Sequence, residues 1–304
     1  MSYGLPYMGC KSDIAKWIFA HLPSAIHFYD LFAGGCSISH AAILSRRYDY
    51  IHVNDISPYM PYTFLLAIQG KYADEKRWIS HDDFFEQRNK GDMYVDLCFS
   101  FGNNADRSYA YSAELEPYKQ AAHHAILLDD YSLAEKLYGV DVSYIGQIES
   151  IGERYAAWKR MVQSKRLNVD KYGRLQSLER LLRMRSLESL KCPYIDENVT
   201  FTALPYDEVE IESNSVLYCD IPYKGTCPYN KLEFDHDKFY DWACRQVNPI
   251  FISEYWMPED RFTCIAQKGK MVNMSYHTHS NKREERIYVP TNQYESLFRK
   301  TTLF

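Results

Sequence analysis

The segment "IHFYDLFAGGCSISHAAILSRRYDYIHVND", residues 26–55, constrains the fold more than any other part of the chain. A first apolar run ends at Asp30 and passes into Gly34-Gly35. "CSISHAAILSRR" then has helical spacing, and "YIHVND" is a second apolar run ending in Asn54-Asp55. Strand, glycine turn, helix, strand is the unit from which open α/β sheets are built. Ahead of it, "SDIAKWIFAHLP" puts Ile14, Trp17, Ile18 and Leu22 on one helical face, with Ser12 as the expected cap and Pro23 as the stop.

The middle of the chain reads differently. From about residue 59 to 194 helical periodicity dominates, with "MYVDLCFSF" as one expected strand. "GRLQSLERLLRMRSLESL" spaces leucines at 175, 178, 181, 182, 187 and 190, a packing stripe too short for several coiled-coil heptads. Short apolar runs then return in "NSVLYCD", "PIFISEY" and "ERIYVP". The layout is an α/β core, 1–59 and 195–304, interrupted by a mostly helical insert, 60–194. Strands on either side of the insert must pair across it.

Composition narrows the classes. The chain has 304 residues, 46% apolar and 25% charged, enough for a sizeable core. No apolar run approaches the length of a membrane span, and the N-terminus lacks a signal-peptide layout, so a cytoplasmic protein is expected. Eight cysteines without a CxxC pair fit reduced thiols in the cytosol. "YHTHS" holds two histidines with no further ligands nearby, so no metal is expected. The net charge of −5 argues against wholesale coating by nucleic acid, yet residues 150–191 carry eleven Lys and Arg against four Asp and Glu.

Two stretches carry chemistry. Asp30, Gly34-Gly35 and Asp55 would stand at the carboxyl ends of neighbouring strands, where open α/β sheets bind ligands. Glycine lets a ligand approach the backbone, and two carboxylates suit a cationic nucleoside better than a pyrophosphate. The frame lacks the third glycine of a dinucleotide site. The second stretch is "VLYCDIPYKGT", an apolar run ending in Asp220-Ile221-Pro222-Tyr223. A carboxylate beside a backbone carbonyl can accept both hydrogens of an exocyclic amine. Tyr223 offers a face for stacking a base, and Pro222 stiffens the turn. Asn103 and Asn104 suit adenine in a major groove or, equally, a turn after a strand.

"YDLFAGG", "VND" and "CDIPYKGT", in that order, resemble the Dam-like, α-class DNA adenine methyltransferases, as does "PYMGCKSDIAKWI" at the N-terminus. The tetrapeptide stands where that family has Asp-Pro-Pro-Tyr. The resemblance implies a Rossmann-like core with a target-recognition insert, and methyl transfer from S-adenosylmethionine to the N6 amine of an adenine flipped out of double-stranded DNA. It implies cofactor contacts at Tyr7, Gly9, Lys11, Asp30, Phe32, Ala33, Gly34, Gly35, Asp55, Ile56 and Asp220, with Asp55 on the ribose and Lys11 near the cofactor carboxylate. Asp220, the carbonyl of Ile221, Pro222 and Tyr223 form the implied catalytic group. Beside such a core, Arg174, Arg180, Arg183, Arg185 and Lys224 become DNA-facing candidates, and a monomer is expected. Two departures stand out. Ile221 replaces a proline, which admits an alternative: a weakened or inactive enzyme that only binds DNA, or one acting on another amine, in cytosine or RNA. Pro205 precedes Tyr206 where an acid is expected, so that either Asp207 replaces its contact with the cofactor adenine or the contact is absent.

Overall fold

A computed structural model describes residues 2–103, 108–224, 234–271 and 282–298. The chain packs as two compact units: Met1–Gly4, Lys11–Tyr62 and Cys192–Phe304 form one, and Leu5–Cys10 with Thr63–Lys191 the other.

The first unit opens with α1 (Ala15–Phe19), β1 (His27–Asp30), α2 (Ser37–Ser45), β2 (Tyr50–Asn54) and the start of α3 (Tyr59–Ile68), within which the chain crosses to the second unit. Ser12 does not cap α1. The helix starts later, with Ile14 at its cap, and the Ser12 hydroxyl accepts the backbone N–H of Tyr3 at 2.8 Å. The turn between β1 and α2 needs left-handed backbone at Gly34 (φ 45°) and at Cys36 (φ 56°).

The second unit holds α4 (His81–Gln87), α5 (Met93–Cys98), α6 (Glu116–His123), α7 (Ser132–Tyr138), α8 (Ile151–Ser164) and α9 (Gln176–Ser186), with short π and 3-10 turns between them. Local signals set several starts. Ser80 and Asp83 form a reciprocal capping box at α4, and Ser150 caps α8 by accepting the Glu153 N–H. "MYVDLCFSF" is a helix rather than a strand. The Asp92 carboxylate accepts the N–H of Tyr94 at 3.1 Å, capping α5, and Tyr94, Val95, Leu97 and Cys98 are buried by helical packing. A short continuous apolar run suits either state, and the cap decides it. Leu175, Leu178, Leu181, Leu187 and Leu190 are buried in and around α9, as their spacing predicts.

The chain returns through α10 (Pro193–Asn198), β3 (Val199–Thr202), β4 (Ser215–Asp220), α11 (His236–Cys244), β5 (Ile250–Glu254), β6 (Phe262–Met271), β7 (Lys282–Pro290) and α12 (Thr291–Phe298). One seven-stranded sheet results, ordered β3-β2-β1-β4-β5-β7-β6. The strands from β3 to β5 are parallel, and β7 runs antiparallel to both β5 and β6. Tyr29, Leu31, Leu217, Cys219, Ile221, Ile250 and Ile252 bury one face of the sheet against Phe239, Tyr240 and Ala243 of α11. The order reverses between β1 and β4, and such a switch point opens a crevice at the strands' carboxyl ends.

Candidate active site

Asp30 pairs with Tyr218 across β1 and β4, so Asp220 stands two residues further toward the carboxyl edge. Its carboxylate Oδ1 lies 2.7 Å from the Lys11 ammonium. Lys11 is buried, 3.7 Å from the Glu285 carboxylate and 4.6 Å above the centre of the Tyr223 ring. Burial alone would lower the pKa of this lysine, but Asp220 and Glu285 outweigh it and raise it above the ordinary value. The Tyr223 hydroxyl donates to Glu285, and the ring stands edge-on to Tyr255 at 4.5 Å. Ile221, in the position of the expected proline, is 2% exposed and packed into the core. His236 Nε2 lies 2.9 Å from the Pro222 carbonyl oxygen. Glu254, at the end of β5, accepts the backbone N–H of Lys224 at 3.0 Å and that of Tyr255 at 2.6 Å, while the Lys224 side chain is exposed.

The glycine turn lies on the adjoining strands. Asp55 accepts the Gly34 N–H at 2.8 Å and the Ser57 N–H at 2.9 Å, tying the end of β2 to the turn after β1. Ala33 N–H donates to the Asn54 carbonyl at 2.9 Å. Ile56 is 66% exposed beside Asp55. Gly35 packs under Gly4, whose own N–H donates to His40 Nδ1 at 2.9 Å. Phe32 stacks on Tyr206 at 5.4 Å.

Several expected contacts have other partners. Asp30, expected to touch the nucleoside, is buried and turned to α2, accepting both the N–H and the hydroxyl of Ser39. Lys11 faces Asp220 and Glu285 rather than standing clear for a cofactor carboxylate. Asp207 pairs with Lys238 at 2.7 Å. Tyr7 and Gly9 belong to the second unit, where the Tyr7 carbonyl accepts the Cys10 N–H and Gly9 has φ 79°.

In that unit Arg180 donates to the carbonyls of Cys98 and Ser100, both at 2.8 Å, capping the end of α5. Arg185 donates to the carbonyls of Tyr72 and Glu75. Both guanidinium groups therefore hold backbone together, a structural task that a DNA-facing expectation did not include. Arg174 pairs with Glu179 at 3.0 Å on the surface, and Arg183 lies near the Cys10 thiol. Asn103 stands in a turn, with φ 61°, and its amide donates to the Leu97 carbonyl at 3.0 Å. Asn104, His277 and His279 lie outside the described residues.

The electrostatics favour a cation. Burial pushes Asp30 up to about 7 against the Ser39 hydrogen bonds, with the Asp220 charge adding to the rise. Burial pushes Glu254 up to about 7 in the same way, and raises Asp55. Carboxylates raised by burial and by one another are relieved by a positive ligand. Sequence reading missed Glu254 and Glu285. Glu254 ends a parallel strand, the position where an acid reaches the crevice, and Glu285 shares a face of β7 with the buried Ile287 and Val289.

Among the described residues no helix is long and apolar enough to cross a membrane, and no three His, Cys, Asp or Glu cluster as a metal site. Comparison with curated proteins finds none that matches. A family model does match, over residues 7–243, which spans the glycine turn, the insert and the tetrapeptide. With Asp220, Lys11 and the Asp55-tied glycine turn gathered at the carboxyl edge of one mixed sheet, the chain belongs to the D12 class N6 adenine-specific DNA methyltransferases.

Proposed function

We propose that this enzyme grips the N6 amine of an extruded adenine with Asp220 and the Ile221 carbonyl, stacks the base on Tyr223, and holds S-adenosylmethionine over the Gly34-Gly35 turn. The observation that carries the reading is the position of Asp220, at the switch point beside that turn, with Oδ1 on Lys11. A carboxylate has about four acceptor sites, so the Lys11 bond leaves it able to accept an amine hydrogen.

The residues present suit the cofactor. Crowded carboxylates fit a cationic sulfur, the glycine turn admits close approach, Asp55 is fixed where a ribose diol would meet it, and exposed Ile56 offers a face to adenine. A bound S-adenosylmethionine supplies an electrophilic methyl carbon. The chain's part is to orient the amine and to stabilise the positive charge that grows on nitrogen, which Asp220 does without leaving its ion pair. His236 on the Pro222 carbonyl and Glu254 on the Lys224 N–H hold the tetrapeptide in place. Burial of Ile221 supports catalytic competence, because core packing fixes the backbone that a proline ring would otherwise stiffen.

The second unit, rich in basic residues between 150 and 191, is proposed as the DNA-recognition part, with Arg160, Lys165 and Arg166 exposed at the end of α8. Labelled-methyl transfer to duplex DNA tests the site. Asp220→Ala should lower the rate roughly a hundredfold or more, and equal incorporation by both proteins would refute it.

A further inference from the structure

We propose that Glu285 is a positioning residue for methyl transfer, fixing Tyr223 through its hydroxyl and sharing the Lys11 ammonium with Asp220. This rests on the function proposed above. Glu285 lies 42 residues beyond the last position that the family model matches.

Topology explains how so distant a residue reaches the site. The parallel strands end at the carboxyl edge of the sheet, whereas β7 runs antiparallel to β5 and begins there. Arg286 pairs with Glu254, the last residue of β5, so Glu285 enters the sheet level with the catalytic edge. It is 1% exposed. A carboxylate so buried is costly unless charge and hydrogen bonds meet it. Both do: the Tyr223 hydroxyl donates to Oε1, and the Lys11 ammonium lies 3.7 Å from the same oxygen.

Two consequences follow for the reaction. A ring tethered at its hydroxyl cannot swing out of the plane in which a base would stack, and Tyr255, edge-on at 4.5 Å, closes another direction. The second consequence is electrostatic. One ammonium faces two carboxylates, 2.7 Å from Asp220 and 3.7 Å from Glu285. A Lys11 partly drawn toward Glu285 leaves more negative charge on Asp220 for the amine. Neutralising Glu285 would commit Lys11 to Asp220 and weaken that acceptor. Glu285 thus acts through Tyr223 and Lys11, without touching the substrate itself.

Single-turnover methyl transfer to duplex DNA, with 2-aminopurine at the target position reporting extrusion in parallel, tests this in the wild type, Glu285→Gln, Tyr223→Phe and the double variant. Glu285→Gln should slow transfer about tenfold, the size expected when a hydrogen bond to a charged acceptor becomes a neutral one and the Lys11 ammonium loses its second carboxylate. Its affinity for S-adenosylmethionine and its urea midpoint should stay near wild type. The double variant should lose less than the product of the two single losses, because the single variants act on one shared hydrogen bond, weakened in Glu285→Gln and removed in Tyr223→Phe. Wild-type rates in Glu285→Gln, or losses that multiply in the double variant, would overturn the inference. Should Glu285→Gln fail to fold, Tyr223→Phe decides alone: it keeps the ring but cuts the tether, so rate and extrusion signal must both fall, and unchanged values overturn the inference. If the wild type methylates DNA while these variants match it, the inference falls and the function stands. If the wild type transfers no methyl group, the function falls and takes the inference with it.

Discussion

At the residue scale, the site depends on few atoms held from several directions. Asp220 is anchored by Lys11, the turn after it by His236 and Glu254, and the glycine turn by Asp55. Ile221 shows how one residue type can replace another. The family's proline fixes φ covalently, while here a β-branched side chain at 2% exposure is fixed by its neighbours. Gly4 is less replaceable. It has φ 69°, and a Cβ there would lie 2.7 Å from the Ser37 nitrogen and 2.8 Å from the Cys36 carbonyl carbon, backbone atoms that cannot step aside. Gly4→Ala should cost on the order of 2 kcal/mol or more, and, if the glycine turn holds the cofactor as proposed, should weaken its binding, since the displaced backbone is that turn. Urea denaturation and cofactor titration check this. Gly152→Ala is the control: that position, in α8, meets only the Ser150 hydroxyl at 3.7 Å and should be neutral or stabilising.

At the element scale, pH separates the groups that folding buries. His123, in α6, is 1% exposed, with Nε2 on the Lys76 carbonyl at 2.8 Å and Nδ1 buried without a hydrogen-bond partner. Burial lowers its pKa to about 4. The unfolded chain takes up a proton near pH 6.5 and the folded one does not, so this histidine's contribution is complete above pH 6.5 and is lost as pH falls toward 4. The full effect is on the order of 3 kcal/mol. Urea midpoints should drop between pH 6.5 and 4.5 in the wild type and drop less in His123→Gln. An equal drop in both would contradict the assignment.

The same scale explains what could be read in advance. The glycine turn, the acids after β1 and β2 and the Asp220 tetrapeptide were legible because each is local and ends an apolar run. Four-residue β3, whose Val199–Thr202 lacks a long apolar signal, was not. Neither was β6, whose charged and glycine positions hide its pairing with β7. The arginines of α9 read as a DNA face because sequence shows charge and not the carbonyls that Arg180 and Arg185 meet. Glu285 was hidden for a related reason: in "KREER" it looks solvated, and only an antiparallel β7 turns it into the site.

At the scale of the whole molecule, the chain divides its charge. The net charge of −5 lies in the first unit, whose crevice gathers carboxylates, while the second is balanced overall and concentrates its basic residues between 150 and 191. A carboxylate-lined crevice suits a positively charged ligand, and a basic stretch suits a polyanion. The most direct measurement digests DNA treated with the enzyme and isotopically labelled S-adenosylmethionine to nucleosides and identifies the labelled product by mass. All label should appear as N6-methyladenine; label in N4-methylcytosine, or none in DNA, would contradict the account.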